Sequence, residues 1–321
     1  MINFPTLNCP FPSAINQHAD AVNIHTLEWV NKFDLVPEEE NFLRLQKSKF
    51  GRLAARAYPN APLEELKIVS DWNTWLFIRD DQCDESGLGK DPIRLSALHA
   101  EFLEILQGHT PEKYDSALSH ALYDIRCRLL RKANSAWMCR FIYSVIEYFE
   151  SSVWEAINRV NGKIPDTETY ILMRPYTGGL YTDIELIDIT EDIYLPLYVR
   201  KNQVIQNLTL MANNVVCWSN DIISYAKESK HDDVHNLVAT LLPSLPSLQR
   251  AIDLATEMTH AEIDAFVEME KQIPSFSSDI DKDVYRYVAI LRSWMRGNLD
   301  WAYESGRYVV ETSNCTLELS V

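Results

Sequence analysis

Val215-Val216-Cys217-Trp218-Ser219-Asn220-Asp221-Ile222-Ile223-Ser224-Tyr225-Ala226-Lys227-Glu228 carries the reading of this chain. It opens apolar and then places a polar oxygen at every fourth position, Asn220, Ser224 and Glu228. In a helix each step of four advances about 40° past a full turn, so the three line one slowly drifting stripe. An amide oxygen, a hydroxyl and a carboxylate are hard ligands, suited to magnesium and poor for zinc or copper. Lys227 adds a cation beside them. A polar stripe by itself is usually only the wet face of a helix, so its meaning depends on the rest of the chain.

Outward from this stretch the pattern stays helical. From about residue 22 the apolar spacing has the helical period, and helices are expected near 38–56, 62–83, 92–107, 114–130, 134–160, 166–176, 179–189, 196–229, 246–272 and 279–309. Pro37, Pro62, Pro92 and Pro196 stand near helix starts, where a missing N–H costs little. No sustained strand alternation, glycine-rich phosphate loop or long repeat interrupts the pattern. The expectation is an all-α fold with one domain over residues 21–321. Before it, residues 1–20, with Pro5, Pro10 and Pro12, form an extended segment or a frayed tail. The helices near 62–83, 134–160, 196–229 and 279–309 are apolar on more than one face, so they are buried or line a greasy cavity.

Bulk properties narrow the function. The 321 residues carry a net charge of −16, which argues against nucleic-acid partners because phosphate backbones need a basic face. An acidic protein acting on an anionic substrate needs cations to mediate the contact. The six cysteines show no CxxC pair or framework spacing, as expected of reduced thiols in the cytoplasm. Neither a signal peptide nor an apolar run long enough for stable membrane insertion is expected. The eight histidines form no zinc-binding spacing, and His231 and His235 read as polar residues at a helix end.

A second constellation ends the helix near 62–83: Phe77-Ile78-Arg79-Asp80-Asp81-Gln82-Cys83-Asp84-Glu85. Asp80 and Asp84 share a helical face, as do Asp81 and Glu85, and like charges at that spacing repel. A bound hard cation reverses the sign. Magnesium typically takes one or two carboxylates and fills its octahedron with waters and substrate phosphates.

Together these residues resemble class I terpene synthases. Asp80-Asp81-x-x-Asp84 resembles the aspartate-rich motif of that family, and Asn220-Asp221-x-x-Ser224-x-x-Lys227-Glu228 resembles its second metal motif. Arg174-Pro175-Tyr176-Thr177-Gly178-Gly179 is similar to the diphosphate-sensing arginine and helix break of the bacterial branch. Trp294-x-x-Gly297-Asn298-x-x-Trp301 runs into Arg307-Tyr308, similar to the family's closing Arg-Tyr pair. The signatures stand in the family's order over residues 77–308.

The resemblance implies a single-domain antiparallel helical barrel or bundle with the two metal motifs facing each other across its mouth. It implies three Mg2+ ions held with an isoprenyl diphosphate, most plausibly farnesyl diphosphate, in a monomer or homodimer. The implied metal ligands are Asp80, Asn220, Ser224 and Glu228. The extra Glu85 leaves Asp84 as partner of Asp80 or leaves Asp80 without one. Arg174, Lys227, Arg307 and Tyr308 are the implied diphosphate donors. Thr177 is expected to link Arg174 to the Gly178 carbonyl, and Asp81 to pair with Arg307. A carbocation requires a dry cavity, and aromatic faces attract it. Phe77 and Trp301 are expected at the mouth, while Trp72, Trp75, Trp137, Phe141, Trp218 and Trp294 are cavity or core, with core the safer reading. The expected reaction is ionisation and cyclisation to a sesquiterpene hydrocarbon or alcohol. Monoterpene or diterpene synthesis, a chain-elongating prenyl synthase and a non-catalytic helical scaffold are the alternatives. Elongating enzymes carry two aspartate-rich motifs, which counts against them here.

Overall fold

The computed structural model describes residues 6–85, 87–229 and 234–308, with the side chains of 83–85 left aside. Among the described residues there is no β-strand. The helices are α1 (Ala19–Lys32), α2 (Glu39–Ser48), α3 (Phe50–Ala57), α4 (Leu63–Glu85), α5 (Pro92–Gln107), α6 (Ala117–Leu129), α7 (Ser135–Val160), α8 (Thr167–Thr177), α9 (Leu180–Glu185), α10 (Ile187–Glu191), α11 (Leu197–Arg200), α12 (Gln203–Glu228), α13 (Leu237–Leu241), α14 (Leu248–Glu270) and α15 (Ser278–Glu304). Their starts follow local chemistry. Asp91, Ser116, Asn134, Asn202, Asn236 and Ser247 each accept a backbone N–H of the helix they precede, a bond worth about 1 kcal/mol per cap.

Several expected helices are subdivided. The one near 38–56 breaks at Lys49, whose φ of 51° is left-handed and costs a side-chain-bearing residue about 1–2 kcal/mol. The turn brings α3 against α1 so closely that a Cβ on Gly51 would lie 2.4 Å from the Asn23 Cα. The long helix expected over 196–229 is α11 followed by α12, because Asn202 turns its side chain onto the Val204 N–H at 3.0 Å and starts a new helix. At the C-terminal end, α15 stops at Glu304, which leaves Arg307 and Tyr308 in a turn.

The described residues fall into two compact units. The first draws on Ile15–Lys163 and Tyr176–Asp192. Its core is aromatic, with Trp72 stacked on Trp75 at 5.5 Å, Trp137 on Phe141 at 5.0 Å, and Phe141 edge-on to Trp72 at 5.0 Å. Each such pair adds about 0.5–1.5 kcal/mol beyond area burial. The three indole N–H groups are satisfied by Thr182 Oγ1 (2.9 Å), the Leu118 carbonyl (3.0 Å) and the Glu185 carbonyl (2.8 Å). All four rings are fully buried.

The second unit draws on Met1–Ala14, Ile164–Pro175 and Ile193–Val321. Within it α12 packs along α14 and α15. Trp218 and Trp294 are buried there, 5% and 3% exposed. Residues 6–14 carry no helix and are packed: Phe11 is buried edge-on to Phe266 at 5.8 Å, and the Asn8 N–H donates to His260 Nε2 at 3.0 Å.

Candidate functional site

In the second unit, α8 and α12 bring together residues from three of the four sequence signatures. Asn220, Ser224 and Glu228 fall on one stripe of α12, as the four-residue spacing requires. Arg174 Nη2 donates to Asp221 Oδ1 at 2.6 Å and lies 3.5 Å from Asn220 Oδ1. The other Asp221 oxygen accepts from the Tyr170 hydroxyl at 2.6 Å and from the Leu237 N–H at 3.0 Å. Asn220 Nδ2 donates to the Tyr308 hydroxyl at 2.7 Å, and the Tyr308 ring meets Trp301 edge-on at 5.7 Å. Trp301 itself is fully buried. Arg174, Asn220, Asp221 and Tyr308 thus share one neighbourhood.

Electrostatics bind this cluster. Burial works against charge on Arg174, and the Asp221 carboxylate overcomes it, holding the guanidinium well above its ordinary value. Burial also lifts the Asp221 carboxyl, against the pull of Arg174, the Tyr170 hydroxyl and the Leu237 N–H. Withdrawn from water without an opposite charge, either group would be costly; the 2.6 Å contact pairs the two charges, and Tyr170 and Leu237 fill the other Asp221 oxygen.

Ser224 tests the fit to a metal. Its hydroxyl is buried and has no hydrogen-bond partner among the described residues. A serine or threonine inside a helix commonly returns its hydroxyl to the carbonyl four residues back. Thr209, Thr256, Thr259 and Ser293 do so in this same unit. A buried hydroxyl left unsatisfied costs about 1–3 kcal/mol. An oxygen spared from its own backbone, between an amide oxygen and a carboxylate on one stripe, is what a hard divalent ion needs. The residues present fit such an ion.

In the first unit, α4 delivers the aspartate-rich stretch. Asp80 is exposed, its side chain 56% accessible, and Arg79 Nη1 approaches it at 4.0 Å. Asp81 is half-buried. The Asp84 side chain lies outside the described residues, and so does that of Glu85. Arg79 is buried, donating to the Tyr148 hydroxyl at 3.1 Å and to Ser152 Oγ at 3.4 Å, and contacting His99 Nε2. Burial, and next the Arg79 charge, drive the His99 imidazole down to about 2, so it is neutral and accepts from the guanidinium. Phe77, one turn before Asp80, stacks on Phe50 at 4.4 Å.

The helix break expected after Arg174 is present. α8 ends at Thr177, and Gly179 adopts φ 70°, a left-handed value that favours glycine. The Tyr148 ring packs against it, 3.4 Å from where a Cβ would stand. The Gly179 carbonyl accepts from Thr182 Oγ1 at 2.7 Å. One turn on, Asp183 is buried, and burial holds its carboxyl well above the ordinary range. The Asn73 amide, with its nitrogen toward Asp183, donates to both carboxyl oxygens at 2.7 and 3.2 Å.

Sequence reasoning missed Tyr170 and Asn236. Tyr170 stands four residues before Arg174 on the same helical face, a legible signal. Asn236 precedes an apolar run as a helix cap should, but its reach back to α12 is a tertiary fact. His235 is buried, and its carbonyl accepts from the Tyr170 hydroxyl at 3.2 Å. His231 lies outside the described residues.

Residues 71–265 match the family described as terpene synthase family 2, C-terminal metal binding. A germacrene A synthase of Nostoc punctiforme is 40% identical over 95% of this chain and 94% of its own. A (+)-T-muurolol synthase of Roseiflexus castenholzii, described as cyclising (2E,6E)-farnesyl diphosphate, is 42% identical over 93% of this chain and 92% of its own. The crystal structure of germacradien-4-ol synthase from Streptomyces citricolor superposes with a TM-score of 0.82 at 23% identity, covering 94% of this chain and 99% of that one. The fold is therefore that of these helical synthases. No helix among the described residues is long and apolar enough to cross a membrane.

Proposed function

The chain belongs to the terpene synthase family and is a terpene cyclase, and we propose that it ionises farnesyl diphosphate with magnesium and closes the cation to a sesquiterpene. The observation that carries the metal-dependent part is the buried Ser224 hydroxyl, spared from its own backbone between Asn220 and Glu228. The substrate assignment is supported by the relatives whose names are sesquiterpene synthases.

Asn220, Ser224 and Glu228 would hold magnesium on the α12 side, and Asp80, with Asp84 as a further candidate, on the α4 side; three ions are proposed. Bound there, the metal neutralises charge building on the departing diphosphate without needing a proton. The chain's own residues do the rest. Arg174, a planar fork already charged, can exchange its Asp221 contact for phosphate oxygens. Lys227, Arg307 and Tyr308 are proposed as further donors, and the Asn220 amide fixes the Tyr308 hydroxyl. Thr177 and the Gly178 carbonyl are proposed to pass the binding of diphosphate to the helix break. Asp81 is proposed to pair with Arg307. Phe77 and Trp301 are proposed as contour residues that stabilise positive charge through their ring faces.

Residues 21–321 are proposed to work as one catalytic domain, a reading supported by a family match that draws on segments of both units. Among the described residues Cys9, Cys127, Cys139 and Cys217 are free thiols, which suits the proposed cytoplasmic setting. The test is incubation of the protein with magnesium and each of geranyl, farnesyl and geranylgeranyl diphosphate, followed by gas chromatography–mass spectrometry. A sesquiterpene from the farnesyl substrate is expected. Product from only one of the other two would overturn the substrate assignment, and longer prenyl chains on adding isopentenyl diphosphate would favour elongation.

A further inference from the structure

We propose that Asn236 is a positioning residue for the second metal wall, fixing the Glu228 carboxylate in a ligating orientation before any ion arrives; the inference rests on the metal-dependent reading above. Asn236 is fully buried. Its Nδ2 donates to Glu228 Oε2 at 2.8 Å and to the Asp221 carbonyl at 2.7 Å. Its Oδ1 accepts the Val238 N–H at 2.8 Å. The amide has one workable orientation, because turning it over would set an oxygen against two acceptors and a nitrogen against a donor.

The backbone on both sides of Asn236 is held to the same cluster. The His235 carbonyl accepts from Tyr170, and the Leu237 N–H donates to Asp221. Asn236 and Leu237 therefore grip α12 at Asp221 and, two turns further on, at Glu228, while His235 meets Tyr170 of α8. Glutamate is a flexible side chain that loses much rotamer freedom on ordering. With one carboxylate oxygen held by Asn236, the carboxylate is presented from a fixed position. Partners that orient metal ligands in this way typically contribute about 10–100-fold to metal affinity.

Two variants separate this role from simple helix capping, because Asp and Ser both keep an oxygen able to cap α13. Asn236→Asp replaces the donor facing Glu228 with an acceptor, and Asn236→Ser removes the reach to it. Two quantities are read for each: the magnesium concentration giving half-maximal turnover, and the rise in melting temperature caused by magnesium with inorganic diphosphate, taken against each variant's own ligand-free value. We expect the magnesium midpoint to rise by about 10–100-fold, the thermal response to shrink, and KM for the prenyl substrate at saturating magnesium to change little. A wild-type midpoint and thermal response in both variants would overturn the proposal. Glu228→Gln is measured alongside. If it shifts the magnesium midpoint while the Asn236 variants do not, only the positioning role falls. If Glu228→Gln itself leaves the magnesium response unchanged, the metal-site reading fails and the role of Asn236 with it.

Discussion

The two metal-motif regions are built in opposite ways. Around α12 the motif's Asp221 and Ser224 are buried, and Asp221 takes donors from Tyr170, Arg174 and Leu237. On α4, Asp80 stands in solvent with Arg79 at 4.0 Å. Each region also contains an arginine drawn away from solvent, Arg79 buried and Arg174 half-buried. Arg174 is neutralised by a carboxylate at 2.6 Å, whereas Arg79 lies beneath Asp80 among Tyr148, Ser152 and a neutral His99. The α12 wall is organised before a ligand arrives.

The largest expected effect bears on both regions at once. Chelation with EDTA should abolish turnover and magnesium should restore it; full activity with the chelator present would remove the metal from the account. Stability separates the regions next. Asp221→Ala strands the Arg174 charge and should cost about 3–5 kcal/mol by denaturant unfolding. Asp80→Ala, an exposed change, should stay within about 0.5 kcal/mol. Equal losses would break the contrast. Turnover should respond to both walls. Glu228→Ala should lower it by roughly 100–1000-fold, because the proposed ion it would hold is what stabilises the charge developing on diphosphate, and a near-native rate would mean the α12 wall has been misassigned.

The smallest effect concerns pH and the α4 side. The folded His99 imidazole titrates at about 2, far below its ordinary 6.5. Below pH 6.5 the unfolded chain takes up a proton that the folded chain refuses, so stability is lost as pH falls from there. The slope should approach ~1.4 kcal/mol per pH unit. Melting midpoints of His99→Gln should show a flatter acid limb than the parent. Parallel limbs would place the acid sensitivity elsewhere.

Much of the site was legible because helices turn spacing into faces. Asn220, Ser224 and Glu228 had to share a stripe, and a glycine pair after Arg174 had to end a helix. The kink at Lys49 was not legible, because it answers to how closely α1 and α3 approach at Gly51. Nor was Asn236 legible beyond its role as a cap, since the partner it holds is on another helix.

By itself the sequence determined the all-α fold, the ligand types and their order, because period and oxygen chemistry are local properties. Tertiary structure alone decided which of those oxygens are already engaged. Asp221 is engaged by Arg174, Tyr170 and Leu237, Glu228 is held by Asn236, and Ser224 has no partner among the described residues. Burial sets that division, because inside a protein each polar atom must find a partner among whatever neighbours packing brings to it.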